Sequence, residues 1–373
     1  MPVRPARWRF CSACGLLGDR PQHGEGVDPI PVLSPTGQGL EQIGALMEEW
    51  CKITVPSCPD AVATRCLERG ACLAFGAYEL HENRRIGGVG LIKFSPEDKP
   101  LLAWKALDFG VLDLHWFNEN SLVVASADGG IRALQVQDGA SGWTVQQHLD
   151  GPAIALSVCL GAGASEGKIV TSFADGAIAL ATLDSPSWLW ERTQAHAHEA
   201  WFACFGAQEY LIMSGGDDGY LRLWDSRLRP QEDPCVSSYQ AHEALGVTRA
   251  CFLDEHVFVS GGFDEKLRFW DTRMLGRSWQ TLQMPGGPWR IEVRGTSLLV
   301  ACMQGHAAIV DLLGPLPRLQ VHLGQHMDHS LVYAASWLPG LGHNLKCVTA
   351  SFYERILYVW RSAPADSVDR KSL

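Results

Sequence analysis

Three stretches of the sequence combine aromatic rings with groups able to give or take a proton: AHAHEAWFACF (195–205), PGGPWRIEV (285–293) and QHMDHSLVYAASW (325–337). His198 and Glu199 are the residue types of a general base and its partner, and Trp201 follows them. Arg290, beside Trp289, has the fork needed to clamp a carboxylate or a developing oxyanion. Ser330, with His326, Asp328 and His329 nearby and Tyr333 three residues on, has the ingredients of an activated nucleophile. Sequence neighbours cannot all point at one another, so a triad at Ser330 would need a histidine from elsewhere. The candidate catalytic groups are therefore His198, Glu199, Ser330 and Arg290, with the nucleophile left open between Ser330 and a water activated by His198. Trp201, Trp289, Tyr333 and Asp217 are the candidate pocket wall. Each has an architectural alternative: tryptophan entering a strand is often core, Arg290 can serve a structural ion pair, and His198 and Glu199 can be ordinary loop residues. His81, His115 and His148 receive no role.

Two further motifs weaken on inspection. Gly163-Ala164-Ser165-Glu166-Gly167 spells G-x-S-x-G, but a nucleophile elbow needs a strand before it and a helix after it. Here ALSVCL precedes and KIVTSFA follows, so the pentapeptide reads as a turn between two strands. Cys11 and Cys14 have metal-ligand spacing without a second pair at a matching distance, so the expectation is unpaired thiols, no metal and no cofactor.

The elements that must position the candidate groups are written in a repeat. SGGDDGYLRLWDSR (214–227) recurs as SGGFDEKLRFWDTR (260–273), and each copy pairs an acidic turn residue with an aromatic six positions later. Extending that ruler gives strand ends at Phe94, Leu134, Ala181, Trp224, Trp270, Val310 and Trp360, separated by 40, 47, 43, 46, 40 and 50 residues. That is the period of four-stranded blades, and seven of them close a ring with no free sheet edge. The expectation is an all-β, seven-bladed propeller over residues 51–373. An irregular extension, with a short helix at LEQIGALMEEW, precedes it over residues 1–50. In such a ring the loops entering the inner strands share one face, so the three chemically rich stretches should meet at the mouth of the channel. The 163–167 turn should lie on the opposite face. His196 and His242 precede their tryptophans by 28 residues, a spacing that resembles the hydrogen-bonded network of WD repeats. Those networks would be His196, Ser214, Asp218 and Trp224, then His242, Ser260, Asp264 and Trp270, all structural.

Composition narrows the function class. With 31 Lys and Arg against 41 Asp and Glu, the net charge is −10 and no basic stripe appears, which argues against nucleic acid as a partner. No apolar run reaches the ~20 residues of a membrane span. Twelve cysteines at no framework spacing fit reduced thiols and a cytoplasmic, monomeric protein.

In order along the chain, LAFGAYEL (73–80), HEAW (198–201), SGGDDG (214–219), WDTR (270–273), WRI (289–291), SLVYAASW (330–337) and SFYERILYVW (351–360) resemble the diphthine methylesterases, WD-repeat enzymes of diphthamide biosynthesis. The resemblance covers roughly residues 60–362, with Glu354 where aspartate is expected. It implies a carboxylic ester hydrolase acting on elongation factor 2, whose modified histidine carries an over-methylated arm ending in a methyl ester. Hydrolysis would free the carboxylate as diphthine. The alternative from another class is a non-catalytic adaptor. WDSR (224–227) and WDTR (270–273) resemble the paired boxes of cullin–RING ubiquitin ligase substrate receptors, in which Arg227 and Arg273 would contact the ligase adaptor.

Overall fold

The computed structural model describes residues 47–362, apart from 96–98, 137–142, 152, 184–186, 209, 243–244, 275, 325–330 and 340–345. These residues form seven four-stranded antiparallel sheets. The inner strands of blades 1 to 7 are Pro59–Leu67, Val111–Asn118, Ala155–Leu160, Ala200–Phe205, Val247–Phe252, Arg290–Arg294 and Val332–Trp337. Each packs against the inner strands of both neighbouring blades, which closes the ring around a central channel. All seven sequence anchors fall in the third strand of a blade, from Phe94 at the end of Arg84–Phe94 to Trp360 in Ile356–Ser362. The propeller expectation holds.

Ring closure uses residues from outside the repeat. Met47–Thr54 is the outermost strand of blade 7, paired antiparallel with Ile356–Ser362 from Met47↔Ser362 to Thr54↔Ile356. The expected helix is therefore wrong at MEEW, and the propeller begins before residue 51; residues 40–46 lie outside the described residues. Glu48 and Glu49 favour a helix locally, but the unpaired backbone of the last strand offers a full ladder of hydrogen bonds, and tertiary pairing overrides propensity. Glu48 also meets Arg361 across that pair at 2.7 Å.

Blades 4 and 5 are held by the two polar networks. His196 joins Asp218 at 2.9 Å and Ser214 at 2.8 Å, and the Trp224 indole N–H donates to Ser214 at 2.9 Å. Blade 5 repeats this with His242, Asp264 (2.7 Å), Ser260 (2.9 Å) and Trp270 (2.9 Å). Arg222 and Arg268 complete the two sets through Asp218 and Asp264. Each satisfied group avoids a desolvation penalty of ~1–3 kcal/mol. Burial lowers the pKa of both histidines despite their aspartates, while the same contacts hold Asp264 down at about 2 and Asp218 lower still. Blade 7 substitutes its own version: Trp360 donates to Thr349, and Glu354 accepts from Ser351 (2.6 Å) and Tyr358 (3.1 Å).

Six of the seven inner strands open with a break in register at their second residue: Asp60, Leu112, Leu156, Trp201, Thr248 and Tyr333. A bulge leaves that residue out of the ladder and re-aims its side chain, as is common at barrel rims and beside active sites. This recurring irregularity supplies the mouth of the channel with side chains. Among the described residues no helix is long and apolar enough to cross a membrane.

Candidate active site

An arc of aromatic rings runs round the mouth from blade 4 to blade 1. Trp201 meets Trp289 (ring centroids 5.2 Å apart) and Phe263 (5.9 Å), and Trp289 also meets Phe263 at 6.0 Å. Trp289 continues to Tyr333 at 5.4 Å, Tyr333 to Phe352 at 5.2 Å, and Phe352 to Tyr78 at 5.1 Å. Arg85 lies over the Tyr78 ring, 5.7 Å from its centroid. Tyr353, 66 % exposed, meets Phe352 and extends the arc toward solvent. Each such pair contributes ~0.5–1.5 kcal/mol beyond its burial, so the rings hold one another as a preformed wall.

Local sequence explains the placement. Trp201 and Tyr333 occupy bulge positions, and Trp289 is tied to the blade by its backbone N–H to the Ala301 carbonyl at 2.7 Å. Asp217 accepts the Trp201 indole N–H at 3.1 Å, fixing that ring. Gly246 makes room for this: a Cβ there would stand 2.7 Å from the Asp217 carboxylate and 2.9 Å from the Phe263 ring. Trp289 differs from Trp201 in one respect. Its indole N–H is buried with no hydrogen-bond acceptor among the described residues.

Beneath the rings lies a charged cluster. Arg290 reaches across the channel from blade 6 to blade 2, donating to the Leu112 carbonyl at 2.9 Å and lying 3.4 Å from Asp113. Asp113 is buried and also accepts from the backbone N–H of Leu114 and of Val158, both at 3.1 Å. His115 stands 3.8 Å from Asp113. Burial works against the Asp113 charge, but Arg290, His115 and Arg249 outweigh it and hold the carboxyl well below the usual range. Asp60, at the blade 1 bulge, is 6 % exposed. Burial pushes its carboxyl up to about 7, with Arg290 and Arg85 opposing and the Asp113 charge reinforcing. Burial and the neighbouring Asp60 likewise keep the Tyr78 and Tyr333 hydroxyls protonated, the latter raised to about 12.

The structure thus brings together Trp201, Trp289, Tyr333 and Asp217, with Arg290 below them, from three separate blades. It does not bring His198 or Glu199 into that cluster. His198 is exposed and Glu199 half-buried, and neither side chain makes a hydrogen bond or ion pair among the described residues. Ser330, His326, Asp328 and His329 lie outside the described residues. Asp60 and Asp113 carry no motif, Tyr78 lies in LAFGAYEL with nothing there to single it out, and His115 stands beside Asp113 although its spacing suggested no role. The one available signal was topological: the loop before an inner strand and the turn after the second strand open on the same face. That signal selects Asp60, Phe263 and Phe352.

On the opposite face, the 163–167 segment is a short 3₁₀ turn joining Ala155–Leu160 to Lys168–Phe173, with Ser165 buried. Arg227 and Arg273 stand exposed at the far ends of their strands, each paired with the aspartate two residues before it, Asp225 and Asp271. Among the described residues no three His, Cys, Asp or Glu side chains gather as a metal-binding group; Cys11 and Cys14 lie outside them.

Comparison with known proteins adds a direction. The WD domain, G-beta repeat family matches residues 191–225 and 233–271, which run from the fourth strand of blade 3 through all of blade 4 to the third strand of blade 5 and include both polar networks. The chain is similar to mouse diphthine methyltransferase, 29 % identical over 329 residues that cover 76 % of this chain and 67 % of the mouse protein. It is similar to the diphthine methyltransferase homolog of Dictyostelium discoideum, 28 % identical over 284 residues, 67 % of this chain and 76 % of that one. Human diphthine methyltransferase is 27 % identical over 305 residues, 70 % of this chain and 64 % of the human protein, so the match spans less than two thirds of the human relative.

Proposed function

We propose that this protein hydrolyses the methyl ester of methylated diphthine on elongation factor 2, releasing methanol and the diphthine carboxylate. The observation that carries the proposal is the aromatic arc from Trp201 through Trp289 and Tyr333 to Tyr78. The substrate arm ends in a quaternary ammonium and an ester. A quaternary ammonium cannot donate a hydrogen bond, so it is recognised by ring faces, at ~0.5–2 kcal/mol for each good contact. An arc of rings above a charged floor suits a ligand with a cationic head and a polar reacting group. The similar proteins are named diphthine methyltransferases, which supports a role for this chain in diphthamide biosynthesis.

The reacting carbonyl needs donors where negative charge develops. The unpartnered Trp289 indole N–H and the Tyr78 and Tyr333 hydroxyls are available for that role. Arg290, held by Asp113 and the Leu112 carbonyl, supplies a fixed positive charge below them. The test uses purified protein and elongation factor 2 carrying the methyl ester, with methanol release followed directly. Trp201→Ala and Trp289→Ala should each raise KM about tenfold or more, with the melting temperature checked in parallel. Absence of methanol release by the purified parent protein would overturn the proposal.

A further inference from the structure

Among the described carboxylates at or near the mouth, most are taken up by partners. Asp113 is fixed by Arg290 and two backbone N–H groups, Asp217 by the Trp201 indole, and Glu292, deeper in the channel, by the Trp337 backbone N–H at 3.1 Å. Asp218 and Asp264 belong to the blade networks. Asp60 is different. It is more than nine-tenths buried, stands at a bulge that leaves it out of the strand ladder, and makes no hydrogen bond among the described residues. Its carboxylate oxygens are not among the fully buried unpartnered atoms, so this largely buried group keeps access to the channel and is free to meet a ligand there.

We infer that Asp60 is the proton acceptor that activates the hydrolytic water, with Arg290 and Asp113 as its positioning pair. This rests on the ester-hydrolysis reading above. Two carboxyls feel the Arg290 guanidinium, and only one of them pairs with it. Asp113 takes the ion pair and stays charged, which leaves Asp60 buried without an ion pair or hydrogen bond among the described residues. Environments that drive two carboxyls apart in this way separate the reacting group from its support. A carboxyl brought near neutrality is also well matched to moving protons at neutral pH. The groups facing Asp60 are Arg290 from blade 6, Asp113 from blade 2, Tyr78 and Arg85 from the second and third strands of blade 1, and Tyr333 from blade 7. Asp113 stays charged and the two tyrosines stay protonated beside it.

The step balances without a further reagent. Water gives one proton to the Asp60 carboxylate while its oxygen bonds the ester carbonyl carbon, and the carbonyl π pair moves to oxygen. On collapse the carbonyl re-forms and the bond to the methoxy oxygen breaks. That oxygen takes the proton back from Asp60 and leaves as methanol. The new carboxylic acid loses its remaining proton to solvent.

The experiment compares the parent protein with Asp60→Asn and Asp60→Glu, using the methyl-ester form of elongation factor 2. Asp60→Asn should lower kcat at least a hundredfold with KM within threefold, and should abolish a kinetic limb near pH 7 that the parent shows. Infrared spectra across pH 5 to 9 should contain a protonated-carboxyl band that titrates near neutrality and is missing from Asp60→Asn. Because Glu292 is also raised to about 7, the difference between the two proteins is the quantity read. Asp60→Glu should shift the limb and retain partial activity, which keeps the test valid should the asparagine variant be insoluble. If the parent releases methanol and Asp60→Asn does so at the same rate with the same pH limb, the assignment of Asp60 falls and the esterase reading stands. A parent protein that releases no methanol overturns both.

Discussion

Blades 4 and 5 present nearly identical solutions to the same packing problem, whereas blades 1, 6 and 7 share their backbone plan and little else. In the first pair the repeated polar groups partner one another: His196 and His242 each join a serine and an aspartate, and each tryptophan donates to that serine. In blades 1 and 6 the corresponding side chains are absent or unpaired, and the mouth side carries Asp60, Tyr78, Trp289 and Arg290 instead. The bulge position shows the contrast most directly. Blade 5 fills it with Thr248, which donates to the Pro288 carbonyl and is closed off. Blade 1 fills it with Asp60, which donates to and accepts from nothing described. A network whose polar groups satisfy one another contributes rigidity; a polar group left unsatisfied at the mouth is available to a substrate. The family match follows the first kind of blade and passes over the second.

The largest effect that would sharpen this contrast is expected at Arg290. Replacing it with Met leaves Asp113 as a buried charge with its ion pair removed, and breaking a buried pair from one side costs ~3–5 kcal/mol. Arg290→Met should therefore lose that much stability in denaturant unfolding and lose detectable methanol release. Adding Asp113→Asn should restore most of the stability and none of the activity. If the single variant is as stable as the parent, the cross-channel pair is not a structural tie, and the division between supporting and reacting carboxyls fails with it.

Asp218→Ala tests the other side of the comparison. It removes the partner of His196, Arg222 and the Ala197 and Tyr220 backbone N–H groups at once. A loss of ~2–3 kcal/mol is expected, with Asp264→Ala similar, read as reduced soluble yield and a lowered melting temperature. Activity per folded molecule should stay near the parent value, because both aspartates are taken up by the blade networks. A selective loss of kcat in a protein of parental stability would show that the networks reach the chemistry.

The same contrast explains what the sequence could and could not convey. Blades 4 and 5 were legible because their partners lie within about thirty residues and recur, so spacing alone marks His196, Ser214, Asp218 and Trp224 as one network. Trp201, Trp289 and Tyr333 were legible because each sits in a loop entering an inner strand, and ring closure brings such loops together. Asp60 was not. It is a single carboxylate in PSCPDAV, its electrostatic neighbours stand at 113, 290 and 333, and only closure of the ring makes them neighbours. His198 and Glu199 attracted notice for the opposite reason. Their types suggest chemistry, yet they stand in the loop of a blade whose structural histidine, His196, is their close neighbour.

Opposite pH dependences should separate the two regions with a smaller signal. The folded Asp60 carboxyl, at about 7, lies above its ordinary value of 3.8. Its contribution to stability is therefore present below about pH 4 and is lost as pH rises through 7. Asp264, held at about 2, behaves in reverse: its contribution is present above about pH 4 and is lost as pH falls toward 2. Asp60→Asn should consequently melt about 2 °C or more above the parent at pH 8, with the gap closing by pH 4. Asp264→Ala should melt below the parent at pH 7, with that gap narrowing toward pH 2. Parallel melting curves for the parent and Asp60→Asn across pH 4 to 8 would mean that Asp60 titrates as an ordinary surface carboxyl.

The smallest effect is expected at the motif that looks most like a hydrolase. Ser165 lies in the G-x-S-x-G pentapeptide, but Gly163–Ser165 is a turn between the first two strands of blade 3. The first strand of each blade starts at the mouth, so its far end and the turn that follows lie on the opposite face. Ser165 is 2 % exposed there, on the other side of the ring from the aromatic arc. No helix follows it to present a strained hydroxyl, and the Gly167 that closes the turn has φ of 79°, a turn conformation rather than an elbow. Ser165→Ala should leave methanol release within about twofold of the parent and move the melting temperature by no more than a buried hydroxyl deserves, ~1 kcal/mol or so. A hundredfold loss of kcat with the fold intact would place the chemistry on the far face. It would also overturn the division between networks that support the mouth and side chains that furnish it.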